Sequence, residues 1–257
     1  MTLKPLFVYS AFAALTLSSL VAEDKPDKAA GVDSSTTAHQ IIDRMVEAIG
    51  GEEAVKSIKT RVASGQLSMK AQGISVNMKV SQKAPDKVVV IQEIPGIMTA
   101  SEGFDGEKGW AQDPLQGSRA IEGDELKRLK REANITREIT LKEEYPTMTL
   151  LPEETEGDRT FQVIQATSAD ERTETWHFDK KTGLMAKMKQ KMKLGPAGEL
   201  DVTLILKDYR EVDGIQIPYT TEMENPSFKA VLTMKEVKHN VELDDKIFAE
   251  PVEDEDE

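Results

Sequence analysis

The hydrophobic positions of this chain fall into three successive patterns. From Leu6 to Leu20 they form a nearly continuous run behind Lys4, and Leu20-Val21-Ala22 precedes the acidic Glu23-Asp24. A short positive stretch, an apolar stretch and a small residue at a polar boundary make a cleavable secretory signal, and the run is short for a membrane span. Residues 1–22 are read as that signal. Residues 23–35 are charged and small and read as a flexible tether.

The second pattern has helical spacing. Ile41, Ile42, Met45, Val46 and Ile49 share one face, with Ser35, Thr36 or Thr37 as the cap and Gly50-Gly51 as the stop. A shorter helical piece is expected from Glu52 to Ser57. From Lys59 the period becomes two. Ile74, Val76, Met78 and Val80 alternate with Ser75, Asn77, Lys79 and Ser81, and the same alternation returns at Leu67-Met69-Ala71, Val202-Leu204-Leu206 and Ile215-Ile217-Tyr219. Asp105-Gly106 and Asp213-Gly214 are hairpin signals, and Asp179-Lys180-Lys181-Thr182-Gly183 reads as a turn closing on a left-handed glycine. About ten strands are expected. They are interrupted by a helical stretch that opens at Gly123-Asp124 and carries Leu126, Leu129 and Ala133.

One apolar sheet face has to be buried, so residues 36–250 are read as a single α+β, mainly β domain, a large antiparallel sheet covered by a few helices. Residues 251–257, almost entirely acidic, read as a self-repelling disordered tail.

Composition narrows the function. The chain has no cysteine, which excludes a disulfide-stapled module and a lipid-bearing N-terminal cysteine. With the signal, this points to the periplasm, or to secretion into the medium. The net charge of −13, one unit more negative once Lys4 is removed, argues against nucleic-acid binding. There is no G-x-S-x-G elbow, phosphate loop, dinucleotide fingerprint or H-E-x-x-H. His39, His177 and His239 lie far apart; His239 with Asp244 and Asp245 is the one assembly that could form a weak metal site, and ordinary loop residues are the simpler account. Glu143-Glu144 and Glu153-Glu154 read as solvated surface. The expectation is a non-catalytic protein with no cofactor and no metal.

Three apolar or basic features remain. Of eleven methionines, Met69, Met78, Met188, Met192, Met223 and Met234 fall in predicted strands, where they either fill gaps in a core or line a surface that repacks around an apolar ligand. Trp176 and Phe178 share a strand face, and Trp110 closes the Gly103–Gly106 hairpin region. From Ala186 to Lys193 strict alternation puts Lys187, Lys189, Lys191 and Lys193 on one face, with Met188 and Met192 on the other. Such a ribbon can meet an anionic partner or protect an edge strand from aggregation.

A set of local sequences together resembles the periplasmic LolA/LolB-like lipoprotein-carrier superfamily, and particularly its outer-membrane lipoprotein-sorting members. The set is Glu47-Ala48-Ile49-Gly50-Gly51, Gly103-Phe104-Asp105-Gly106-Glu107-Lys108-Gly109-Trp110 with Asp113-Pro114, Phe178–Leu184, Asp208–Pro218 and His239-Asn240-Val241. Arg61 is a candidate for that superfamily's early-strand arginine, and the acidic tail departs from its pattern. The resemblance implies a sheet curled as an incomplete β-barrel around a helical lid, enclosing an apolar cavity for acyl chains. On that reading, inward parity places Ile42, Met45, Met69, Met78, Trp176, Phe178, Met188 and Leu204 at the cavity. The expected ligands are lipoprotein acyl chains or another lipid. Lys187, Lys189, Lys191 and Lys193 are the candidate contact to an anionic membrane surface or an envelope receptor. The alternative is an envelope interaction module with a filled core and no ligand cavity.

Overall fold

The computed structural model describes residues 37–115, 117–193 and 199–251. The signal segment, the tether and the acidic run from Val252 onward lie outside the described residues, as does the side chain of Lys193.

Helix α1 (Ala38–Ala48) opens at Thr37, whose hydroxyl accepts the Gln40 N–H while the Gln40 side chain accepts the Thr37 N–H. This reciprocal cap satisfies two otherwise orphaned donors. Ile41, Ile42, Met45 and Ile49 are all buried, as their spacing requires. The short α2 (Glu52–Ser57) follows.

Six strands come next: β1 (Thr60–Met69), β2 (Ile74–Lys83), β3 (Lys87–Ile94), β4 (Met98–Phe104), β5 (Gly109–Asp113) and β6 (Gly117–Ile121). After α3 (Gly123–Ala133) and α4 (Leu141–Glu144) come seven more: β7 (Thr147–Glu156), β8 (Arg159–Thr167), β9 (Thr173–Asp179), β10 (Met185–Lys193), β11 (Glu199–Val212), β12 (Ile215–Glu224) and β13 (Lys229–His239). The count exceeds the expected ten because short strands such as Gly117–Ile121 carry small and polar residues with no apolar alternation to betray them.

Each set of strands is an antiparallel meander, and β1 pairs with β13 to join them into one 13-stranded sheet that does not close into a barrel. Because β6 and β7 are its two opposite edges, the connection between them has to travel from edge to edge. It carries α3 and α4 over the inner face, beside α1. The main core lies between that face and the helices; it takes residues from α1, α3 and α4 and from strands toward both edges, such as Ile121 and Ile164.

Two of the sequence motifs turn out to be one junction. Ile49 O accepts the Gln216 N–H at 2.8 Å, and a Cβ added to Gly50, whose φ is +128°, would stand 2.2 Å from Gly214 O. Arg44 donates to Lys180 O at 2.7 Å. The C-terminal end of α1 is thus pinned to the β11–β12 and β9–β10 turns.

The outer face is covered by the C-terminal segment. Phe248 is fully buried against Val89 and Trp110, and Trp110 Nε1 donates to Phe248 O at 2.7 Å. Trp110 therefore belongs to a small cluster on the outer side, apart from the inner core. A side chain at Gly103, its partner across the β4–β5 pair, would run into the indole at 2.5 Å.

Candidate functional site

Between α1, α4 and strands β1 and β9–β13 lies a cavity of about 130 Å³. Its apolar wall comes from Met45 on α1 and Ile49 at its C-terminal cap, Leu141 on α4, Trp176 on β9, Met185 and Met188 on β10, and Leu206 on β11. Ile215, Ile217 and Met234 continue it across β12 and β13. Methionine thioethers on three elements give that wall soft, rotatable sides.

A second recess of about 50 Å³ extends toward α3, and Arg61, Ala63, Arg137 and Glu138 line both. These four residues form a polar waist that borders both spaces. Arg61 Nε points at His239 Nε2, 3.2 Å away, and Nη1 stands 3.8 Å from Glu138 Oε1. Glu138 Oε2 is buried and has no hydrogen-bond partner among the described residues. Burial and the neighbouring Arg61 charge lower the pKa of His239, so its Nε2 accepts from Arg61 while Nδ1 faces Asp213 at 3.3 Å.

Arg137 is held from behind by a buried network. It donates to Glu144 at 2.7 Å and to Tyr145 OH at 3.3 Å, and Arg172 donates to the same two residues. Burial opposes the charge on Glu144, yet Arg137 and Arg172 hold its carboxyl below the usual range. Deeper still, Glu174 accepts from Tyr145 OH at 2.5 Å and from Trp176 Nε1 at 2.8 Å. Burial pushes its carboxyl up to about 7, against the pull of Arg137. The tryptophan on the cavity wall is therefore oriented by the carboxyl group of Glu174 behind it.

Of the residues expected at the cavity, Met45, Trp176 and Met188 line it. Ile42, Met69, Met78, Phe178 and Leu204 are buried in the surrounding core and are not on its wall. Arg137 and Glu138 escaped the sequence reading because their segment has no periodicity. Met185 escaped because a bulge between Met185 and Lys187 breaks the alternation. His239, Asp244 and Asp245 do not converge: His239 faces Arg61, while Asp245 pairs with Lys83 and Lys87. Glu144, expected on the surface, instead anchors the buried network.

On the lysine ribbon, Met188 and Met192 are buried and Lys189 is on the exposed side. Lys187 pairs with Glu156, Lys189 lies 4.0 Å from Glu154, and Lys191 lies 3.2 Å from Asp201. β10 is an interior strand between β9 and β11, which removes the edge-protection reading.

In sequence the chain matches no family model and no curated protein. In structure it is similar to a LolA superfamily protein, NE2245 from Nitrosomonas europaea, at 17% identity and a TM-score of 0.58, covering 84% of this chain and 99% of that one. A DUF1329 family protein from Desulfovibrio piger aligns at 13% identity and a TM-score of 0.59 over 82% of this chain and 96% of its own. A domain described as an outer membrane lipoprotein-sorting protein from Vibrio parahaemolyticus aligns at 16% identity and a TM-score of 0.56 over 81% and 94%. The curled open sheet, the helices across its inner face and these alignments give the chain a LolA/LolB-like fold.

Proposed function

We propose that this chain is a non-catalytic periplasmic carrier that binds lipoprotein acyl chains or another lipid beneath its helical lid. The observation that carries the reading is the methionine-rich cavity, placed between the lid and the inner face of a LolA/LolB-like sheet. The signal pattern at residues 1–22 supplies the compartment. Its charge does not favour the β10 ribbon as the docking surface, since carboxylates of the same face match its lysines.

In the closed form the cavity of about 130 Å³ resembles engineered cavities that hold benzene, at about 150 Å³, and is below the roughly 300 Å³ at which ligand pockets begin. A long chain therefore requires the lid to move. The weak seam is between α1 and α4, where the cross-lid ion pair Lys142–Asp43 is solvent-exposed and worth less than about 1 kcal/mol. The pinned end of α1 serves as the pivot. The small closed volume is also the observation that favours the second reading, an interaction module with a filled core.

The test is direct. The exported protein, purified without detergent, should carry lipid or lipoprotein detectable by native mass spectrometry. Ala63→Leu, which projects three further carbons into the waist, should cut acyl-chain binding by about tenfold while costing no more than about 1–3 kcal/mol of stability. Protein recovered empty, and full binding by the variant, would favour the module.

A further inference from the structure

The polar waist carries information about the head of the ligand, on the premise that the cavity takes its chain. Arg61 Nη1 and Glu138 Oε1 are 3.8 Å apart, too far for a direct hydrogen bond and close enough for one oxygen atom seated beside them to touch both. Among the described residues Glu138 Oε2 is buried with no partner, so the site holds an acceptor in need of a donor. Among the described residues the short contact of Arg61 is from Nε to His239, which leaves its Nη groups able to donate to a further acceptor. Arg137, by contrast, is already engaged by Glu144 and Tyr145. Both Arg61 and Glu138 line the cavity whose remaining wall is apolar.

We propose that the Arg61–Glu138 pair is a head-group site for an uncharged hydroxyl, so that the preferred ligand is a single-chain or acyl amphiphile with an alcohol at its polar end. A hydroxyl oxygen accepts from the Arg61 guanidinium and donates to Glu138 in the same place. An ether or ester oxygen in that place satisfies Arg61 alone and brings Glu138 no donor. A fatty carboxylate also satisfies Arg61 but meets the Glu138 carboxylate as a like charge. Sites built to bond a hydroxyl discriminate strongly against analogues that lack it, because the protein group is left buried and unpaired.

The experiment compares 1-dodecanol, methyl undecyl ether and dodecanoate as displacers of the neutral fluorophore N-phenyl-1-naphthylamine from the mature protein. Dodecanol is expected to bind about tenfold more tightly than either competitor. Glu138→Gln removes the like charge, so the preference for dodecanol over dodecanoate should shrink about tenfold; circular dichroism confirms that the variant is folded. Equal affinities for alcohol and ether in the unmodified protein, or an unchanged alcohol-to-carboxylate ratio in the variant, would overturn the head-group assignment while leaving acyl binding intact. Failure of all three to displace the fluorophore would overturn acyl binding itself, and this inference with it.

Discussion

Gly50→Ala tests the junction that pins the end of α1 to the β11–β12 turn. Gly50 has a φ of +128°, and a methyl group there would be 2.2 Å from Gly214 O, an atom of the backbone that no rotamer change can move. The left-handed backbone alone costs an L-residue about 1–3 kcal/mol. Relieving the overlap separates the two turns by about 1 Å, which breaks the Ile49 O to Gln216 N–H bond and adds about 1 kcal/mol. The total is roughly 2–4 kcal/mol, or roughly 5–15 °C in melting temperature for a domain of this size. Gly73→Ala is the control. Its φ is +65°, but among the described residues nothing lies within 4 Å of the added methyl, so it bears the backbone term without the collision. Urea unfolding should therefore rank Gly50→Ala below Gly73→Ala. Hydrogen exchange should show faster opening of α1 amides in the first variant only, since α1 loses its anchor while the sheet keeps its ladder. Equal stabilities and unchanged α1 exchange would refute the claim that this contact holds the lid.

Three further outcomes follow from other sites. Phe248→Ala should cost about 3–5 kcal/mol and red-shift the emission of Trp110, because Phe248 is fully buried over that indole; an unshifted spectrum would show that the C-terminal segment does not cover the outer face. Gln190→Met should stabilise by about 1–3 kcal/mol, since the buried Gln190 amide has neither its oxygen nor its nitrogen paired among the described residues, and a loss of stability would reveal a partner. Glu174 keeps its proton up to about pH 7 when folded and loses it near the ordinary 4.5 when unfolded, so its contribution to stability falls as pH rises between those values. Urea midpoints of wild type relative to Glu174→Gln should therefore decline from pH 5 to pH 8, with the opposing effects of His177 and His239 cancelling in the difference, and parallel profiles would refute the assignment.

Local chemistry made part of this protein readable from its sequence. Thr37 and Gly50-Gly51 delimit α1 because capping and stopping depend on the residues themselves, and the helical spacing of Ile41, Ile42 and Met45 fixes the buried side. Strand parity likewise put Met188 and Met192 inside and Lys189 outside, since a period of two leaves no other choice while one face is dry. What parity does not contain is the identity of the neighbours across the interior. Met78 and Met188 are both inward methionines, yet one is packed in solid core and the other faces the cavity, and the difference is set by where α1 and α4 cross the sheet. That crossing follows from pairing order: joining β1 to β13 makes β6 and β7 the outer edges and forces the connection between them over the inner face. Arg61, Arg137 and Glu138 come from a strand and an aperiodic turn far apart in the chain, and only that long-range closure brings them to one waist. The sequence determined which face each element buries, because that depends on residues within a few positions of one another. The tertiary structure decided what each buried face meets, because that depends on which distant strands pair.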